Sequence, residues 1–219
     1  NTAVGYDAGL SVTTGIRNVL IGGLAGDALT DADFNVAVGH AALSVDTLGS
    51  KSVGVGNGAL GNQNFTTATD VFNTAVGTNA GTSVTTGIQN TLIGGLSGDA
   101  LTTGQENVAL GYAALSNDDV GNHSTAIGWN ALISQNYSTS TDSNNTAVGW
   151  NSGSSISTGV ENTVMGSHTA DALTDSDGNV AVGAFALSTD TLGARSVSVG
   201  HGALLTQNFT TATDNYNVA

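Results

Sequence analysis

The sequence predicts an all-β fold, a parallel β-solenoid (β-roll) of twelve coils, and three observations predict it. First, an Asn or Ser, a β-branched residue, a mostly small residue, an apolar residue and then a glycine recur from Asn1, Asn18, Asn35, Ser52, Asn73, Asn90, Asn107, Ser124, Asn145, Asn162, Asn179 and Ser196. Second, the starts are spaced by 17, 17, 17 and 21 residues in turn, so a 72-residue unit occupies 1–72, 73–144 and 145–216. Residues 217–219 open the next unit, and 1–219 reads as one continuous array. Such periodicity marks units that stack because each buries a face its neighbour supplies. Third, only 9% of residues are charged, there is no proline, and there are 31 glycines. That composition suits turns and short strands, whose ladders a proline would interrupt.

Within a coil, the residue after the Asn or Ser is always Val or Thr, and the one two places on is always apolar: Thr2 and Val4, Val19 and Ile21, and so on to Val197 and Val199. Residues two apart share a strand face, so these two columns are expected to point into the coil. The column between them, Ala3, Leu20, Ala37, Gly54 and their successors, is then expected to face outward, where its lack of charge suits a close contact between chains. The invariant glycine (Gly5, Gly22, Gly39 onward to Gly200) predicts a turn with positive φ or a backbone approach too close for a Cβ. A second apolar residue, such as Val12, Leu29, Leu48 and Phe65 in the first unit, is assigned to a return strand that closes the coil. The first position is Asn in nine coils and Ser in the fourth coil of each unit. Stacked amides there predict a hydrogen-bonded ladder, compatible with the use of Asn as a turn former. The residue after the glycine ranges from Gly23 to Trp129, a spread no buried column tolerates, so it lies outside.

Seventeen acids against three bases give a net charge of −14, which argues against nucleic acid and against anionic membrane surfaces. No apolar run has the roughly 18 to 20 residues of a bilayer span, so no membrane insertion is expected. The chain starts in register at Asn1 without a methionine and reads as an internal piece of a longer fibre. With no cysteine there are no disulfides or thiolate metal sites.

Asn1-Thr-Ala-Val-Gly, Asn73-Thr-Ala-Val-Gly and Ser124-Thr-Ala-Ile-Gly resemble the head repeats of trimeric autotransporter adhesins of the YadA type and similar repeats of bacteriophage tail fibres. The fuller phrases Asn90-Thr-Leu-Ile-Gly-Gly-Leu-Ser-Gly-Asp-Ala-Leu and Gln63-Asn-Phe-Thr-Thr-Ala-Thr-Asp look most like fibre proteins of aquatic phages. The resemblance covers the whole chain and implies a left-handed β-roll in a homotrimer, extracellular, on a virion tail fibre or a cell surface. The 17- and 21-residue coils are longer than the usual adhesin head repeat.

Candidate chemistry is sparse. Gly22-Gly-Leu-Ala-Gly-Asp-Ala-Leu-Thr resembles the calcium nonapeptide of β-rolls but occurs once per unit, whereas that motif needs consecutive copies to share ions. Asp27, Asp31 and Asp33, with Asp171, Asp175 and Asp177, are expected to be solvated loop acids; the middle copy has Asp99, Thr103 and Gln105. No metal and no cofactor is expected. His40, His123, His168 and His201 do not recur in phase, and a uniform rod offers no cleft for a nucleophile and base, so no enzyme is expected. The sequons at Asn64, Asn136 and Asn208 carry an in-phase aromatic that is expected to pack the longer loop. Tyr112, Trp129 and Trp150 fall after the glycine in consecutive coils and predict an exposed ridge that stiffens the rod or stacks on a glycan. The expected function is a non-enzymatic, trimeric fibre segment that displays a surface or tip. The alternatives are an adhesin whose rod binds host or glycan and an ice-binding solenoid, which the inward placement of the Thr column disfavours.

Overall fold

The computed structural model describes residues 1–219 and contains no helix. Twelve three-residue strands, from Thr2–Val4 to Val197–Val199, form one parallel sheet with one strand from each coil. Equivalent residues pair without slippage, as in Thr2↔Val19, Ala3↔Leu20 and Val4↔Ile21. At about 4.8 Å between hydrogen-bonded strands, the sheet extends roughly 58 Å along the axis. Val197 also bridges Val218 in parallel, so the last residues begin a thirteenth turn.

The strand faces are the reverse of the sequence expectation. The middle column is buried: Leu20, Ala37, Ala75, Leu92, Ala109, Ala126, Ala147, Val164 and Ala181 are at most 1% exposed. The columns on either side, Thr or Val and then Val, Ile, Leu or Met, face out, with Leu110 42% and Met165 43% exposed. Period-two alternation says which residues share a face and is silent on which face is inside. Space inside the coil decides, because one coil is too thin to admit two branched columns. Where the middle column carries Leu20, Leu92 or Val164, a glycine six residues later (Gly26, Gly98) or an alanine (Ala170) makes room. Where it is Ala37, Gly54, Ala109, Ala126 or Ala181, a leucine six residues later (Leu43, Leu60, Leu115, Leu132, Leu187) fills the same volume. Such exchange at constant volume is what packed interiors tolerate.

The closing side is also not a continuous strand. Leu29, Val84, Leu101, Ile156 and Leu173 are buried as expected, but they sit in irregular backbone just after a turn. Regular pairing there is confined to three two-stranded sheets, Gly49–Ser50 with Thr69–Asp70 and its equivalents in the next two units. Elsewhere backbone bonds step from coil to coil, as from Thr13 N–H to the Thr30 carbonyl (3.0 Å) and from Thr30 N–H to that of Thr47 (3.0 Å).

The Asn column is a ladder whose rungs join side chain to backbone. Asn18 N–H donates to Asn1 Oδ1 (2.9 Å) and Asn35 N–H to Asn18 Oδ1 (2.8 Å), while Asn18 Nδ2 donates to the Ala32 carbonyl (2.7 Å). Each buried amide thus binds the next coil with its oxygen and the closing side of its own coil with its nitrogen, which leaves little of the desolvation penalty of a buried polar group.

The glycine that ends each strand meets both sequence expectations. Gly94 has φ +133°, and a Cβ on it would overlap the Gly111 carbonyl oxygen; the same relation recurs up the column. We expect Gly94→Ala to destabilise the rod by about 2 kcal/mol or more, from strain plus the backbone overlap. Gly95→Ala is the control: its Cβ would make only ordinary contacts, with Tyr112 Cδ2 at 3.6 Å and the Thr78 carbonyl oxygen at 3.9 Å, and should change stability by about 0.5 kcal/mol or less. Thermal melts of the two variants check this, and equal losses would remove the steric account.

Candidate functional site

The most connected polar cluster lies at the fourth coil, where Ser replaces Asn and cannot complete the ladder. Gln63 reaches into the gap: its Nε2 donates to Ser52 Oγ (3.0 Å) and Asp46 Oδ2 (2.5 Å), and its Oε1 accepts from Asn73 Nδ2 (2.9 Å). Asp46 Oδ1 accepts from the N–H groups of Gly49 (3.0 Å) and Phe65 (2.9 Å). Asp118, Ser124 and Gln135, then Asp190, Ser196 and Gln207, repeat this arrangement. Burial pushes the Asp118 carboxyl above its ordinary range, against the pull of bonds from Gln135 and the Gly121 N–H. Tyr137, buried beside it, is also pushed up, first by burial and then by the Asp118 charge. With its oxygens occupied, the cluster joins the fourth coil of one unit to the coils on either side. Sequence reasoning missed it; the signal was Asp46 and Gln63 recurring at the 72-residue period.

The loop acids are tied to neighbouring coils one at a time. Asp31 accepts from Thr14 Oγ1 (2.5 Å), Asp33 from the Ile16 N–H (2.7 Å) and Asp177 from the Val160 N–H (2.8 Å). No three His, Asp or Glu side chains are placed to hold an ion together. Asp27, Asp99 and Asp171, equivalent across the units, each keep one buried oxygen without a partner. A depression lined by Asp175, Asp177 and Asp214 sits at the C-terminal end; Ser157 and Thr158 bind Asp175, and Arg195 pairs with Asp214. All three cations are engaged with rings of the next coil, Arg17 on Phe34, Lys51 on Phe72 and Arg195 on Tyr216. The sequon aromatics Phe65 and Tyr137 are buried and pin the longer loop.

Two surfaces remain. One is the outward sheet face, two uncharged columns over twelve strands. The other is the row just past the strand-ending glycines. Trp129 and Trp150, 45% and 52% exposed, lie 6.0 Å apart between ring centroids. Tyr112, one coil earlier, is 52% exposed, and its ring lies against Gly95 of the coil before it. The row instead continues the other way, Trp150 to His168 (4.5 Å), His168 to Phe185 (5.5 Å, stacked) and Phe185 to His201 (5.9 Å). His168 and Phe185 come one place later in their coils, after the small Ser167 and Ala184. Positive φ at both, 52° and 59°, brings them into the same row. Set against protein-family models, curated proteins and solved structures, the chain matches none.

The acids set the pH dependence. Burial raises the carboxyls of Asp99 and Asp171 above their ordinary value, so the folded chain holds those protons more tightly than the unfolded chain. Their contribution is fully present below the unfolded value of about 3.9 and is lost as pH rises through the raised folded values. Asp175 is lowered by bonds from Thr158 and Ser157 and acts in the opposite sense, losing its contribution on acidification. We expect the double variant Asp99→Asn, Asp171→Asn to melt higher than the parent at pH 7. That gain should disappear near pH 4, below or close to the unfolded value. A gain of equal size at both pH values would remove the burial account.

Proposed function

We propose that this chain is a shaft segment of an extracellular or virion fibre, a non-enzymatic rod that works mechanically and associates through its sheet face into a homotrimer. The observation that carries the reading is the outward face itself. It presents Val, Ile, Leu, Met and Thr in two columns along the full sheet, without a charged residue. A continuous exposed face of this kind, about 58 Å long at the strand spacing, exceeds what monomers ordinarily leave uncovered. Copies of the chain suit it because every coil presents the same flat profile, and the net charge of −14 is carried on loops away from it. The middle column, read from sequence as the inter-chain contact, is interior, so the self-association argument belongs to the branched columns. Fibre geometry also fits a rod whose interior is satisfied coil by coil.

Sedimentation should give three times the 21.6 kDa chain mass. Ile127→Asp with Val148→Asp, on adjacent central strands of that face, should reduce this to one chain with the fold retained by circular dichroism. A monomeric parent would overturn the reading.

Ice binding gains from the reversal of faces. Thr74, Thr91, Thr125, Thr146 and Thr163 now project outward on a flat, regularly spaced array. The second outward column, however, contains no Thr. On this reading the parent chain shows thermal hysteresis, and Thr125→Lys with Thr146→Lys abolishes it; absence of hysteresis in the parent leaves the fibre reading alone.

A further inference from the structure

We propose that the aromatic row of the C-terminal half, centred on Trp129 and Trp150, is a binding platform for a neutral extended oligosaccharide. The row is not needed to build a coil. The first six coils make the same turn with Gly23-Leu24, Asn57-Gly58 and Thr78-Asn79 among others, at the same positive φ in the second residue. In those coils the only rings at this turn are Tyr6 and His40, on coils that are not neighbours; rings on consecutive coils come later, and Trp129, Trp150 and Phe185 remain about half exposed, an expensive placement if packing were their purpose. Because they stand on consecutive rigid coils, their spacing is fixed in advance, which lowers the ordering cost of binding. From Trp129 to His201 the row covers about 19 Å at the strand spacing, the scale of several sugar rings rather than one.

The surroundings select the ligand. Sugars present apolar C–H faces, which pack on aromatic faces, and an equatorial rim of hydroxyls. Neutral donors and acceptors flank the row: Asn151 Nδ2 lies 3.3 Å from His168 Nε2, Ser167 Oγ lies 3.1 Å from His168 Nδ1, and Asn130 borders Trp129. No Lys or Arg lies in the row, and the chain carries −14 overall, so an anionic glycan is repelled where a neutral one is not. The row lies past the strand ends, beyond the face assigned to self-association, so the inference does not depend on the fibre reading.

Trp129 and Trp150 are the only tryptophans, so intrinsic fluorescence reports on the row directly. Titration with cellohexaose, chitohexaose and mannohexaose should give a saturable change with at least one, and a hexagalacturonate should bind at least about tenfold more weakly under like-charge repulsion. Trp150→Ala, read through Trp129, should weaken the binding sugar at least about tenfold, while Trp150→Phe keeps most of the affinity because stacking needs only a ring face. No response to any of the neutral sugars, or unchanged affinity in Trp150→Ala with an unchanged melt, overturns the proposal. So does loss of assembly mass in Trp150→Ala, which would make the row an inter-chain contact. Sedimentation of the parent scores the fibre reading separately.

Discussion

The structure depends on one close approach, the carbonyl of each strand-ending glycine lying where the Cβ of the preceding coil's glycine would be. That contact sets how near two coils come at this corner, and at this distance the strand ladder, the Asn rungs and the core column reach bonding range together. Every other residue type is excluded twice, by the missing space and by φ near +135°. The same tightness explains why strands of only three residues suffice. Their pairing is repeated twelve times in one register, so each coil needs little cohesion of its own, as in other one-dimensional arrays.

Thinness is the second consequence. A coil closed by turns of this tightness encloses one column from the strand and one or two residues from the return path, and in second, third and fourth coils the large and small members trade places. The branched residues that strands favour therefore have nowhere to go but out. Their exposure follows from geometry, yet their uniform lack of charge does not. Lys or Glu at alternate outward positions is the ordinary way a sheet face avoids association, and no coil of this chain uses it.

Repeat boundaries, parallel stacking, the glycine requirement and the outward row were legible because each rests on spacing or on steric tolerance, which a sequence states directly. The inward face was not, since Ala3-type and Val4-type columns are related by a shift of one residue and both are uncharged; only the enclosed volume distinguishes them. The return strand was over-read because buried Leu29 and Val84 gave an apolar signal that irregular backbone satisfies as well as strands. The joint formed by Asp46, Ser52 and Gln63 escaped because its members are 6 to 17 residues apart and become neighbours only through stacking. For the aromatic row, reading a single repeat position found Trp129 and Trp150. It did not find His168 and Phe185, which continue the ring pairs from Trp150, because they stand one place later in their coils.

Where a scaffold repeats this strictly, information about function resides in departures from the repeat. In second, third and fourth coils the interior positions vary in compensated pairs, and the Ser of each fourth coil is compensated by Gln63 and its equivalents, so these departures cancel within the fold. The aromatic row does not cancel in this way: Trp129, Trp150, His168 and Phe185 pair ring to ring on consecutive coils, whereas the first unit carries only Tyr6 and His40 at this turn, on separated coils. Uncompensated variation on a rigid, repetitive frame is the arrangement expected of a recognition surface, with the frame supplying spacing and the variable side chains supplying chemistry. The uncharged sheet face is the complementary case, a feature held without exception through all three units. The physical division is between a face that must match copies of itself along its whole length and a row free to differ from coil to coil.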